Sequence, residues 1–323
     1  MSREIPGSVR VGGYVLGLVA AFAAAYGVGQ AVGPVDSEQA SDHGGHAAEE
    51  PAADEPGANG QGHTDSGTEH AAATGPTDGV SGLTARADGF TLALAQPIVA
   101  AGRQDLTFQI LTSSGRPLLD YTEAHEKDLH LIVVRRDLSG FQHVHPTLDT
   151  ETGTWSVPVR LGGGTWRVIA DFVPQGWDPL TLAEDLSVRG EFAPVPLPAM
   201  SQTATVGPYE VHLSGSTAPG ADTTLTVHIT RDGQEVTDLE GYLGAYGHLV
   251  ALRSGDLGYL HVHPTDNGSS GPEIAFGTSF PTHGTYRLYL DFKHDGTVRT
   301  AEFTVDASGA PGTATEEGAG HDH

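Results

Sequence analysis

Three histidines recur at one spacing in two places along the chain: His130, His143 and His145, and again His248, His261 and His263. In each set the last two are two residues apart, so in an extended strand both imidazoles leave on the same side. The first lies thirteen residues before them, which fits a strand, a turn at Gly140 or Gly258, and a returning strand. A hairpin of that kind brings three rings to one point. Three neutral imidazoles form a site for Cu(II) or Zn(II), with Cu(II) favoured by the intrinsic affinity order. Asp171 and Asp291, each followed by Phe on a later strand, are candidates either to add a carboxylate ligand or to orient a ligand histidine through its other ring nitrogen.

A packing role competes with this reading. His130 shares a strand face with Ile132 and Val134, as a core histidine bonded to a backbone carbonyl would. An Asp near Arg167 or Arg287 can serve an ion pair alone. Duplication favours the metal, because a packing role tolerates drift between two copies of a sequence. His125, His212, His228, His283 and His294 have no counterpart in the other copy and read as surface or internally bonded histidines.

Composition narrows the chemistry further. The 323 residues carry 41 acidic and 16 basic side chains, a formal charge of −25, which excludes a basic nucleic-acid binder. With no Cys and only 2 Met, thiolate zinc, iron–sulfur, blue-copper and thioether copper(I) sites are all excluded. The 17 His outnumber Lys and Arg together, so imidazole and carboxylate must do any metal binding. No phosphate-binding glycine loop, serine nucleophile elbow or paired catalytic carboxylate stands out, and the chain is read as a non-enzyme.

The elements that position the histidines are strands. Aligned without a gap, residues 130–147 and 248–265 are identical at nine of eighteen positions, all three histidines included. Gly164-Thr165-Trp166-Arg167 through Asp171-Phe172 then matches Gly284-Thr285-Tyr286-Arg287 through Asp291-Phe292. Short alternating or fully apolar runs at 90–94, 105–111, 129–135, 154–159 and 165–172, and again at 209–213, 223–230, 248–253, 285–292 and 300–305, predict strands, with no long amphipathic helix. The expected fold is all-β: two tandem antiparallel β-sandwiches, Ig-like or cupredoxin-like, spanning residues 86–193 and 200–306. The Pro-rich stretch 194–199 between them reads as a semi-rigid connector.

Residues 11–35 carry no charge and follow a basic segment, 1–10, expected to stay in the cytoplasm. They suit a single transmembrane anchor, with a cleaved signal peptide as the alternative. The anchor is favoured because the apolar run continues past both small-x-small cleavage sites. Either way the rest of the chain is expected outside the cytoplasmic membrane, tethered at the cell envelope or secreted. Residues 36–85 hold ten acids, no Lys or Arg and no aromatic residue, and read as a disordered tether. With His43, His46, His63 and His70 there, and His321 and His323 in the tail 307–323, both flanks are either a loose metal-collecting fringe or plain spacer.

The His130 to His145 pattern, followed by Gly-Thr-Trp-Arg and Asp171-Phe172, resembles secreted bacterial copper-handling β-sandwich proteins, the CopC-like and YtkA-like groups, here as a tandem repeat. The resemblance implies a β-sandwich that handles copper. The expected function is a membrane-tethered extracytoplasmic protein that buffers or delivers Cu(II) or Zn(II) through one triad per module. Its partners would be the metal ion and an envelope metal transporter or chaperone. Two alternatives stand beside it: a tandem cupin-like metalloenzyme, and a non-metal Ig-like interaction module of the envelope.

Overall fold

A computed structural model describes residues 80–260, 262–265 and 269–308, the side chain of His263 excepted. The charge-free stretch 11–35, the tether up to residue 79, His261 and the tail from residue 309 lie outside the described residues. Among the described residues no helix is long and apolar enough to cross a membrane.

The fold is all-β, with two tandem domains. The first is built on β1 (Phe90–Leu94), β2 (Gly102–Leu111), β3 (Leu129–Arg135), β4 (Gln142–Val144), β5 (Thr154–Leu161), β6 (Gly164–Pro174) and β7 (Leu180–Arg189). One sheet runs β1-β2-β5 and the other β7-β6-β3-β4. The second repeats the plan with β8 (Tyr209–Ser214), β9 (Asp222–Arg231), β10 (Gly247–Arg253), β11 (Tyr259–Leu260), β12 (Glu273–Ser279), β13 (Gly284–His294) and β14 (Thr297–Ala307). Its sheets run β8-β9-β12 and β11-β10-β13-β14. These strands pair antiparallel, whereas the short edge strand Ile98–Ala100 lies parallel to β7.

Period-two alternation fills each sandwich. Leu106, Phe108 and Ile110 of β2 and Trp155, Val157 and Val159 of β5 meet Leu129, Leu131 and Val133 of β3 and Val168, Ala170 and Phe172 of β6. In the second domain Leu225, Val227 and Ile229 oppose Leu249, Ala251, Leu288, Leu290 and Phe292 in the same way.

Strands β3 and β10 are apolar on both faces because each is covered twice. Their inward residues enter their own core, while Ile132 and Val134 of β3 meet Val250 and Leu252 of β10 in a third cluster. Leu138, Ile169, Ala183, Leu257, Tyr259 and Tyr289 complete it. The two sandwiches are thus packed sheet to sheet through β3-β6 and β10-β13. Removing a side chain such as Val250 or Ile169 from water stabilises this junction by about 1.5–3 kcal/mol each.

Two segments tie the junction from outside. Residues 80–85, assigned from sequence to the tether, are instead structured: Ser81 and Tyr259 exchange backbone hydrogen bonds of 2.8 and 2.9 Å. Arg167 donates to the Leu83 carbonyl at 3.0 Å. Backbone groups in this segment find partners in both domains, which offsets the entropy of ordering a Gly- and Ser-containing stretch. The connector is similarly engaged, with the Val195 amide donating to Asp137 Oδ2 at 2.8 Å and Leu197 packed on the third cluster.

Candidate metal centre at the junction

His130 sits at the start of β3 on the same face as Ile132 and Val134, so the strand that packs the junction also points this ring into it. β4 returns antiparallel with His143 opposite Ile132, and His145 follows two residues later on the same side. The hairpin therefore gathers the three rings: a nitrogen of each lies within 4.8 Å of the others. His130 Nδ1 is 3.2 Å from His143 Nε2 and 3.2 Å from His145 Nε2. Such spacings suit one ion at the usual metal–imidazole distance of about 2.0–2.1 Å, so the triad could hold a metal.

The outer nitrogens settle which inner nitrogens carry lone pairs. His130 Nε2 lies 3.0 Å from the Ala124 carbonyl, which can only accept, so Nε2 carries the hydrogen and Nδ1 of the neutral ring the lone pair. His143 Nδ1 donates to Asp291 Oδ2 at 3.0 Å, which leaves the lone pair on Nε2. With neutral rings, the 3.2 Å approach of His130 Nδ1 to His143 Nε2 sets lone pair against lone pair. A cation between them, a proton or a metal ion, relieves that; a neutral His145 can also donate Nε2–H to His130 Nδ1 at 3.2 Å.

Burial opposes the proton. It pushes the His130 imidazole down to about 4, against the pull of the Ala124 carbonyl, with His143 adding to the depression. Burial, then His143 and His130, takes His145 down to about 3.

The sequence-predicted residues that the structure describes each have a definite place. His130, His143 and His145 come together. Asp291 comes from the second domain, accepts from His143, and receives the Thr300 hydroxyl on its other oxygen at 2.5 Å. Asp171 is not in the triad. It accepts from Thr181 at 3.1 Å and from the buried Tyr259 hydroxyl of the second domain at 3.0 Å. Neither Asp relies on the arginine of its own strand, because Arg167 pairs with Asp185 and Arg287 with Glu302 across to the neighbouring strand. His248 donates Nε2–H to the Tyr242 carbonyl at 2.7 Å, repeating the His130–Ala124 bond. Its imidazole is likewise pushed down to about 4 by burial. His261 and the His263 side chain lie outside the described residues.

Two features go beyond the sequence reading of one triad per module. The described triad leans on a carboxylate of the other domain, and His125, read from sequence as a surface or internally bonded histidine, stands at the junction. Its ring centroid is 6.0 Å from His130 and 5.7 Å from His248. His125 occupies a tight turn in which Ala124 and Lys127 exchange backbone hydrogen bonds. The second domain builds the same turn from Tyr242 to Ala245, with Leu243 in place of His125. A comparison of the two copies therefore removes His125 from view. The other unmatched histidines fit their reading: His294 is buried between the Tyr209 hydroxyl at 2.7 Å and Asp238 at 3.0 Å, and His212 and His283 are exposed.

Comparison with solved structures finds β-rich chains at low similarity. A Salmonella alpha-2-macroglobulin variant is 14% identical over 71% of this chain and 15% of its own, with a TM-score of 0.25. The Escherichia coli adhesin FdeC is 17% identical over 69% of this chain and 65% of its own, with a TM-score of 0.23. Domains 5–6 of the S-layer protein SbsC are 10% identical over 66% of this chain and 95% of their own, with a TM-score of 0.20. This chain thus spans less than two thirds of the first two of these proteins. No curated protein matches it in sequence. One family does match, and it matches twice, at residues 85–181 and 204–309, once over each sandwich. The chain belongs to the family described as Domain of unknown function (DUF8832), which it carries as a tandem pair.

Proposed function

We propose that this protein is a membrane-tethered, extracytoplasmic metal-binding protein that buffers or delivers Cu(II) or Zn(II) through His130, His143 and His145. The observation that carries this reading is the convergence of two fixed lone pairs, His130 Nδ1 and His143 Nε2, at 3.2 Å. Metal-ligating histidines characteristically donate their outer N–H to a carbonyl or carboxylate, as these two do to Ala124 and Asp291. Three protein nitrogens leave a fourth position for a ligand from a transporter or chaperone, the arrangement a delivery protein needs for handover. The copper-handling resemblance of the His130 to Phe172 stretch weighs towards Cu(II), and the tethered location rests on residues 11–35.

The test is titration of Cu(II) and Zn(II) into the chain with His43, His46, His63, His70, His321 and His323 replaced by Ala. A tight equivalent lost in His143→Ala/His145→Ala supports the reading. Binding that is weak and indifferent to those two substitutions overturns it.

A further inference from the structure

The three rings of the triad are not held alike. The Ala124 carbonyl fixes His130 and the Asp291 carboxylate fixes His143, each at 3.0 Å, so both rings keep one tautomer. The His145 ring bonds through Nε2, 3.2 Å from His130 Nδ1, and among the described residues nothing bonds its Nδ1. The backbone adds to this freedom. The β3–β4 ladder ends at the Leu131–Val144 pair, one residue before His145. Pro146 follows, and by Thr147 the chain has crossed to the opposite sheet, where Thr147–Asp149 pairs with β5. His145 therefore sits on a crossover and is half-buried, whereas His130 and the His143 side chain are buried.

This difference has a chemical consequence. With its hydrogen held on Nε2 by Ala124, a neutral His130 can only accept at Nδ1, so the 3.2 Å contact in the metal-free protein is His145 Nε2–H donating to it. That bond covers the lone pair an ion needs. A metal ion in the triad takes the lone pairs of His130 Nδ1, His143 Nε2 and His145 Nε2, so the hydrogen on His145 Nε2 has to leave. Its replacement enters at Nδ1, which no protein group blocks: solvent takes one proton from Nε2 and supplies one to Nδ1, and the ring stays neutral. His130 and His143 already present the lone pairs required and undergo no such exchange.

We propose that His145 is the gate of this site, a ligand that switches tautomer, bonds last when an ion enters and lets go first when it leaves. The inference rests on the proposed function of the triad. The ion lands on the fixed pair, His130 and His143, after the His145–His130 bond has opened, and His145 Nε2 then closes on it. In handover an acceptor's donor replaces His145 Nε2 on the ion, the ring hydrogen returns from Nδ1 to Nε2 through solvent, and His145 closes over His130 again. The two aimed rings hold the ion in place while the third exchanges it.

The test combines imidazole nitrogen NMR with stopped-flow Zn(II) kinetics on the full chain lacking the six flanking histidines. The His145 signals, assigned by their loss in His145→Ala, should report Nε2–H in the metal-free protein and Nδ1–H in the Zn(II)-loaded one, while His130 and His143 keep their tautomers. In the kinetics, His145→Ala should express its whole fold-loss of affinity as faster dissociation, with association no slower, because the ring is already detached when the ion passes. His143→Ala should slow association as well. A His145 that carries Nδ1–H without metal, or one whose removal slows association, overturns the gate and leaves the triad standing. Zn(II) binding indifferent to both substitutions overturns the triad and the gate together.

Discussion

The imidazole of His143 and the carboxylate of Asp291, 148 residues apart in sequence and in different sandwiches, are joined by a 3.0 Å hydrogen bond. A triad histidine of one domain is therefore aimed by the other. Both side chains are almost wholly buried, at 5% and 7% exposure, so water cannot substitute for either partner. The orientation of the triad and the packing of the two domains are coupled through this contact.

Replacing Asp291 by Asn should weaken Zn(II) binding by about 10–100-fold, the usual effect of losing a carboxylate behind a ligand histidine. Asp171→Asn, which lies outside the triad, should change it far less. Calorimetric titration of the two variants side by side reads the difference, and equal losses would contradict the assignment of Asp291.

Tyr259→Phe removes the hydroxyl that donates to Asp171 Oδ2 across the junction. Loss of this hydrogen bond to a charged acceptor costs about 1.5–3 kcal/mol. A lower urea midpoint with unchanged metal affinity is expected, because the Tyr259 hydroxyl donates to Asp171, which lies outside the triad.

The metal-free protein should lose stability in acid. His130, His145 and His248 have imidazoles pushed down to about 4, 3 and 4 by burial, below the ordinary value of about 6.5 kept in the unfolded chain. The folded state therefore binds fewer protons than the unfolded state between these limits. Stability is fully present above about pH 6.5 and falls as pH drops towards 4. Urea unfolding at pH 7.5, 6 and 5 checks the direction, and a flat profile would contradict it.

Gly140 turns the triad hairpin at φ +68°, and a Cβ there would lie 2.7 Å from Trp166 Cη2. Gly176 has a similar φ of +79° but open space around it. Gly140→Ala should thus destabilise by more than Gly176→Ala, whose cost is backbone strain alone, about 1 kcal/mol. Comparing thermal melts of the two variants separates the clash from the strain.

Much of this architecture was legible in the sequence because β strands announce themselves by alternation and because the chain repeats. The runs 90–94 and 129–135 coincide with β1 and β3. Leu180–Arg189 was not picked out, since Glu184 and Asp185 interrupt its apolar pattern; Asp185 proves to be the partner of Arg167. Glu273–Ser279 was obscured by the Pro272 before it and the Gly277 within it. At the site, i and i+2 spacing and a turn at Gly140 sufficed to group His130, His143 and His145. What could not be read was the sheet-to-sheet contact, because a strand apolar on both faces looks the same whether a helix, a sheet or a second copy covers it. His125 and the cross-domain role of Asp291 both follow from that contact, and His125 was further hidden by having Leu243 as its counterpart.

The Ser81–Tyr259 bridge spans 178 residues, and the His143–Asp291 bond 148. Chains are synthesised from the N-terminus and domains fold in that order. The first sandwich has all its strands once Arg189 has emerged from the ribosome, yet His143 must then wait for a partner more than a hundred residues behind it. The centre consequently matures late: during synthesis the first hairpin presents His130 already oriented by Ala124 but His143 unaimed, and the arrival of the second sandwich supplies Asp291. Timing is built into the covalent order of the two copies, which delays the final orientation of His143 until Asp291 has emerged.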